Sequence, residues 1–291
     1  MNPIVDNKLI ANKYLIKNKI GNGKFGIVYC AENIKTKEFV AIKTEDSRTE
    51  IKILKYETTI LKYLYDHGVR EIPIVYWYGL NSNSLCLVMP MYERSLYDYV
   101  LNNPTNDISK INSFMIVLIN IIQSIHKCSI IHRDIKPQNF MIKNNELFCI
   151  DFGFATFFVD ENSRHLPLKN HNNIIGTPKY ISINIHNGNT ASRRDDLISM
   201  GYILIFLLCR ELPWDALKKT ENPENLDEIH IMHPKNTERN SLKSWNHLQD
   251  LCKNMNDSLH KYLNYCYSLE YHEAPDYDLL RTFFSNTRVS I

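Results

Sequence analysis

At 291 residues, with 44% hydrophobic and 23% charged residues and a formal net charge of +2, the chain has an ordinary globular composition and enough apolar side chains for a sizeable core. So small a charge excess demands neither a nucleic acid nor a membrane surface as partner. The seven cysteines are scattered and odd in number, without metal-ligand spacing, and read as the reduced thiols of an intracellular protein of the cytoplasm or nucleus.

The first residues, MNPIVDNKLI, lack the basic-then-apolar pattern of a signal peptide. The apolar run at residues 203–209 is far shorter than the roughly 18–20 residues of a membrane span, so no membrane segment is expected. Three short, alternating stretches then predict strands: LIKNKIG at 15–21, FGIVYCAEN at 25–33 and KEFVAIKTE at 37–45. In EIKILKYETTILKYLYDHG, residues 50–68, Ile53, Leu54, Ile60, Leu61 and Leu64 recur at three- and four-residue steps, which predicts an amphipathic helix stopped near Gly68. IVYWYGL at 74–80 and SLCLVMP at 84–90 predict two more strands. Beyond Pro90 the pattern turns helical, with INSFMIVLINIIQSIHKC at 111–128, LISMGYILIFLLC at 197–209 and further helices to the end. Residues 218–246 are polar and aperiodic and read as a long loop or insertion. Strands followed by helices predict an α+β chain, with a small sheet-rich lobe over about 1–89, a join at about 90–94 and a larger helical lobe over about 95–291.

Four stretches carry chemistry. GNGKFG, formed by Gly21, Asn22, Gly23, Lys24, Phe25 and Gly26, is either a plain hairpin turn or a loop whose amides approach phosphates closely, since glycine has no Cβ in the way. It lies between two strands, which suits a phosphate-covering hairpin rather than a dinucleotide site, and Val28 completes GxGxxGxV. VAIK at 40–43 ends in Lys43, either a surface charge or a ligand to phosphates. In the second reading it needs a carboxylate, and Glu57 is preferred to Glu50 because it lies on the helix flank beside Ile60 and Leu61. IIHRDIKPQNF at 130–140 sets a polar cluster between apolar runs, which is costly unless the groups are paired or used. Asp134 suits a base that orients an attacking hydroxyl, Lys136 a cation for the moving phosphoryl group, and Asn139 a metal ligand. In CIDFGFA at 149–155, Asp151 ends an apolar strand and suits a carboxylate for Mg2+.

With these motifs in this order the chain resembles the eukaryotic protein kinases over essentially its whole length, which implies the bilobal protein kinase fold as a single domain with ATP and Mg2+ as cofactors. The lysine of HRDIKPQN resembles that of serine/threonine kinases. In place of the usual Ala-Pro-Glu motif stand Ser182, Ile183 and Asn184, followed by SRRDDL, LPW, YLNYC and PDYDLLR, and this set resembles the casein kinase 1 family. The resemblance implies a gatekeeper at Met89 and a hinge of Pro90, Met91 and Tyr92. Val28, Ala41 and Met141 would sandwich the adenine, with plain core packing the alternative for each. Ile20 and the glycine loop would cover the nucleotide, and Ser95 and Asp98 would face the ribose. Thr177 would pack against Asp134 and Lys136, and Asp196 would anchor the catalytic-loop backbone, with a partly buried pairing for Arg193, Arg194 and Asp195. Lys179, Lys218 and Lys219 are what remains of a basic pocket for phosphorylated or acidic substrates, and the acidic TENPENLDE that follows implies a weakened preference for primed substrates.

The implied activity is transfer of the ATP γ-phosphate to Ser or Thr of protein substrates by a monomer, without activation-loop phosphorylation or an autoinhibitory tail. A pseudokinase scaffold is the competing class, disfavoured because Lys43, Glu57, Asp134, Lys136, Asn139 and Asp151 are all present. A small-molecule kinase is disfavoured by the SIN, SRRDD and LPW features.

Overall fold

A computed structural model of the chain describes residues 9–23, 26–103, 107–171, 174–215 and 234–285. The expectations for Lys24, Phe25, Lys218 and Lys219 lie outside the described residues. The chain divides into two compact units, residues 1–94 with 141–153 and residues 95–140 with 154–291.

The first unit is built on a six-stranded antiparallel sheet of order β1-β2-β3-β4-β6-β5. Its strands are β1 (Leu9–Ile10), β2 (Tyr14–Gly23), β3 (Gly26–Asn33), β4 (Phe39–Asp46), β5 (Trp77–Asn81) and β6 (Ser84–Pro90). Alternating side chains of these strands, among them Ile16, Ala31, Val40, Ile42 and Val88, form one apolar cluster. Helix α1 (Ile53–Asp66) buries Leu54, Ile60, Leu61 and Leu64. Its N-cap, Lys52, makes no side-chain cap. The buried carboxylate of Glu45 does that work from β4, accepting from the Ile53 and Leu54 amides at 3.1 and 3.4 Å. The helix is thereby tied to the strand that carries Lys43.

Residues 141–153 cluster with this unit, although the sequence reading runs the second lobe unbroken from residue 95. The cause is hydrogen bonding. In β9 (Phe140–Lys143) and β10 (Glu146–Cys149), the Ile142 carbonyl accepts from the Glu93 amide at 3.0 Å, and the Cys149 amide donates to the Glu71 carbonyl at 2.8 Å. The rings of Tyr92 and Phe148 add a contact at 5.2 Å. A short strand β7 (Arg94–Ser95) lies where the first segment of this unit ends.

The second unit is mostly helical, with α2 (Leu96–Asn102), α3 (Ile108–Lys127), α4 (Ile183–His186), α5 (Arg193–Cys209), α6 (Pro234–Leu242), α7 (Trp245–Met255), α8 (Asp257–Ser268) and α9 (Tyr277–Ser285). Strands β8 (Ile130–Ile131) and β11 (Thr156–Phe157) pair antiparallel beside the helices. Helix α5 is its axis: every side chain from Asp195 to Leu207 is buried, as expected of a helix that is apolar all round. It begins four residues before the apolar run, at Arg193, because the Asp195 carboxylate accepts the Ser192 amide at 2.7 Å and closes the N-terminus.

Helix α3 has the length and apolarity of a membrane span, a pattern that a core helix of a globular protein shares, and scattered Asn, Ser and Gln residues divide it into short apolar runs. Its buried side chains include Met115, Leu118, Ile119, Ile122 and Ile125, and it packs against α5 and α9. Within the segment read as a loop, Pro234–Leu242 is helical and Trp245 opens α7. Few apolar side chains mark α6, so hydrophobic periodicity cannot disclose it.

Helices α5 and α8 pack closely at Gly201, where a Cβ would lie 2.2 Å from Cδ2 and 2.8 Å from Cγ of the buried Leu263. Gly201→Ala is expected to destabilise the protein by about 1–3 kcal/mol through overpacking. In a Leu263→Ala background the same change should be neutral or stabilising by up to about 1 kcal/mol, because alanine favours the helix. Urea unfolding of the four proteins of this cycle measures both.

Candidate functional site

In the first unit Lys43 sits in the middle of the sheet, opposite Val28 on β3 and Leu87 on β6. Its Nζ donates to Glu57 Oε2 and to Asp151 Oδ1, both at 2.7 Å. Glu57 projects from the buried flank of α1, whereas Glu50 is exposed and precedes the helix. Burial opposes the charge on Lys43, but the Glu57 and Asp151 carboxylates outweigh it and hold the ammonium form. Burial also pushes Glu57 up, against the pull of Lys43. Asp151 has φ 66°, a left-handed conformation unusual for a residue with a side chain. Holding it costs of order 1–3 kcal/mol, which the bond to Lys43 helps offset.

The glycine loop is the β2–β3 hairpin, with Gly21 opposite Val28 and Gly23 opposite Gly26. At Gly26, φ is +143° and a Cβ would stand 1.7 Å from the Thr44 carbonyl, so no other residue fits. Ala41 is buried opposite Met89, which is half-buried, as are Val28 and Met141. Pro90 and Tyr92 are buried, Met91 is half-buried, and Ile20 and Asn22 are exposed.

In the second unit, the expected catalytic loop is a closed hydrogen-bonded set around Asp134. The Thr177 hydroxyl donates to Asp134 Oδ1 at 2.7 Å and accepts from Lys136 Nζ at 2.8 Å. Lys136 Nζ also lies 2.8 Å from Asp134 Oδ2. Asn139 Nδ2 donates to the Asp134 carbonyl at 2.8 Å and to Oδ2 at 3.0 Å. Asp134 and Asn139 are buried, so each bond is made in a low-dielectric setting, where it matters most. Gly176 lets the Thr177 segment come this close: its φ is +109°, and a Cβ would meet the Arg133 carbonyl at 2.6 Å. Ser95 caps α2, bonding the Asp98 amide and its carboxylate at 3.0 and 2.7 Å.

Asp196 holds this loop from below. Its two oxygens accept the His132 amide at 2.7 Å and the Arg133 amide at 2.9 Å, and His126 Nε2 lies 3.0 Å from Oδ2. The other nitrogen of His126 meets the Tyr277 hydroxyl at 2.5 Å. Burial works against the Asp196 charge, but the bonds from His126 and His132 outweigh it and hold the carboxyl below the usual range. Burial likewise lowers His126, so the imidazole is neutral at physiological pH and the contact is a hydrogen bond rather than an ion pair.

Arg193, Arg194 and Asp195 are half-buried, half-buried and buried, and each finds its partners outside the charge run. The arginines donate to the His272 and Leu269 carbonyls at 2.9 and 2.8 Å and lie over the Phe158 and Tyr271 rings. The buried Asp195 instead accepts Ser182 Oγ at 2.6 Å and Asn184 Nδ2 at 3.0 Å. Thus the SIN stretch is read by a carboxylate on α5. Lys179 bonds Asp215 at 2.7 Å, and its carbonyl accepts Trp214 Nε1 at 2.8 Å.

Glu45, His126, Asp215 and Tyr277 were not singled out from the sequence. Asp215 directly follows LPW and could have been paired with Lys179, and Tyr277 lies within PDYDLLR; the other two offered no local signal. Among the described residues no group of three or more His, Cys, Asp or Glu could hold a metal. Asn139 and Asp151 are hard oxygen donors of the kind Mg2+ takes, and Mg2+ needs only one or two such protein ligands beside phosphates and water.

Residues 14–269 match the family model described as a protein kinase domain. The strand-rich first unit and the larger helical second unit are the two lobes of that fold.

Asp196→Ala is expected to cost about 3–5 kcal/mol, because two buried amides and an imidazole lose their acceptor. The depressed carboxyl contributes fully above its unfolded value of about 3.9 and loses that contribution as pH falls through the lower folded value. Urea midpoints of wild type and variant should therefore differ at pH 7 and converge in that acid range.

Proposed function

The chain belongs to the protein kinase family, and we propose that it is a serine/threonine protein kinase resembling casein kinase 1, transferring the γ-phosphate of Mg·ATP to protein hydroxyls. The bonded set of Asp134, Lys136, Asn139 and Thr177 is the observation that carries this reading. Asp134 is a buried carboxylate that can orient an incoming hydroxyl and take its proton, and Lys136 offers a cation to the charge on the moving group. Lys43, kept charged by Glu57 and Asp151, is the candidate ligand for the α- and β-phosphates. Asn139 and Asp151 would hold Mg2+, which when bound neutralises phosphate oxygens. Val28, Ala41, Met89 and Met141 would enclose the adenine against the backbone of residues 90–92, and Ser95 and Asp98 would meet the ribose. Lys136 also distinguishes this loop from the tyrosine-specific pattern.

Activity without activation-loop phosphorylation is supported by Thr177, which already bonds both Asp134 and Lys136. A weakened taste for primed substrates is supported by Asp215, which occupies the Lys179 ammonium that a phosphate would need. Protein substrates and a monomeric enzyme complete the reading.

Phosphorylation of casein and of primed and unprimed peptides tests it, with Asp134→Asn expected to lower kcat by about 100- to 10,000-fold. Wild-type protein that binds ATP but transfers nothing would favour a scaffold instead. Asp215→Asn removes the competing charge, and should raise kcat/KM for a phosphate-primed peptide over its unprimed form about tenfold. An unchanged ratio would separate Lys179 from substrate recognition.

A further inference from the structure

We propose that Lys243 is a positioning residue that holds the turn at residues 177–181, and through it Thr177, against the Asp134 set. The kinetic part of this inference rests on the phosphotransfer reading above. Lys243 directly follows α6 and is wholly buried, at 0% exposure. Its Nζ donates to the Pro178 carbonyl at 2.9 Å and the Ile181 carbonyl at 2.7 Å, and meets His186 Nε2 at 3.0 Å. Two carbonyls and one ring nitrogen thus occupy the three polar contacts of the amino group.

His186 can accept only as a neutral imidazole, and burial together with Lys243 pushes it down to about 2. Burial disfavours the lysine charge as well. Two aromatic faces, Trp214 and Tyr202, close around the same group, with ring centres 4.8 and 5.1 Å from Nζ. The two carbonyls and the imidazole hold Nζ by hydrogen bonds rather than as an ion pair.

What it binds is specific. The Thr177 carbonyl accepts the Tyr180 and Ile181 amides at 2.8 and 3.1 Å, closing the turn whose outward carbonyls Lys243 binds. The Thr177 side chain, at the start of that turn, bonds Asp134 and Lys136. Ser182, Ile183 and Asn184, which follow, provide no carboxylate with which an ion pair could fix the turn. The anchoring is divided: Asp195 takes the side chains of Ser182 and Asn184, and Lys243 takes the carbonyls before them. The same Nζ lies over Trp214, whose indole N–H holds the Lys179 carbonyl, so both supports of the turn meet at one point.

The test is Lys243→Met, which keeps the stem and removes the donors. In the folded variant kcat/KM for a protein substrate should fall about 100-fold, as for a small misplacement distant from the chemistry. KM for ATP should stay within about twofold, because Lys43, Glu57 and Asp151 belong to the other unit. Amide hydrogen exchange should rise at residues 177–186 and stay unchanged in α3. If exchange rises equally across α3 and α5, Lys243 serves stability alone and the proposal is overturned. Wild-type kinetics and exchange in the folded variant overturn it as well. Should Lys243→Met not fold, His186→Leu, which removes one acceptor, is expected to show the same local pattern at smaller amplitude, and wild-type behaviour there counts against the proposal. A wild-type protein without transfer activity refutes the kinase reading, while the exchange experiment still decides the role of Lys243.

Discussion

A buried carboxylate at the start of α5 is the constraint on which the second unit depends. Asp196 lies in an apolar interior where a charge survives only if donors surround it, and the donors available are the amides of His132 and Arg133 and the ring of His126. That requirement ties the backbone of the loop around Asp134 to helix α5, buried along most of its length. It also holds Arg133 in a left-handed conformation, φ 66°, that the loop would otherwise leave. Asp134, the next residue, is therefore placed by backbone bonds made on the far side of the loop rather than by its own contacts alone.

The same logic recurs around it. Asp195 organises the SIN stretch, Asp215 engages Lys179, and Lys243 secures the turn between them through two carbonyls. These groups are buried or half-buried, and losing one partner strands the other without water, which makes each contact more specific than a surface ion pair. In the first unit the arrangement is simpler. One ammonium group, Lys43, joins a strand, a helix and the strained Asp151 through two bonds of 2.7 Å. Position of the helix follows from a second carboxylate of the same strand, Glu45, capping α1.

Much of this was legible in advance where local pattern and local chemistry coincide. The alternating strands and the amphipathic α1 follow from periodicity, and the HRD and DFG stretches follow from polar residues stranded between apolar runs. What was not legible depends on distant partners. The charge run at 193–196 suggests a partly buried pairing without naming the partners, and its arginines bond carbonyls about eighty residues downstream in the case of Arg193, as the separation of 79 shows. The polar α6 lacks an apolar stripe, and Lys243 within that polar stretch looks like any solvated lysine until Pro178, Ile181 and His186 are brought to it. Residues 141–153 join the first unit through backbone bonds that no side-chain pattern encodes.

The central claim is that the Asp134 set directs a phosphoryl group to a protein hydroxyl rather than to water. ATP carrying 18O in its γ-phosphoryl group, incubated with Mg2+, casein and the purified chain, tests this most directly by mass spectrometry. The label is expected on phosphoserine or phosphothreonine of the casein. Label found only in free phosphate, or ATP left unreacted by folded protein, would contradict it.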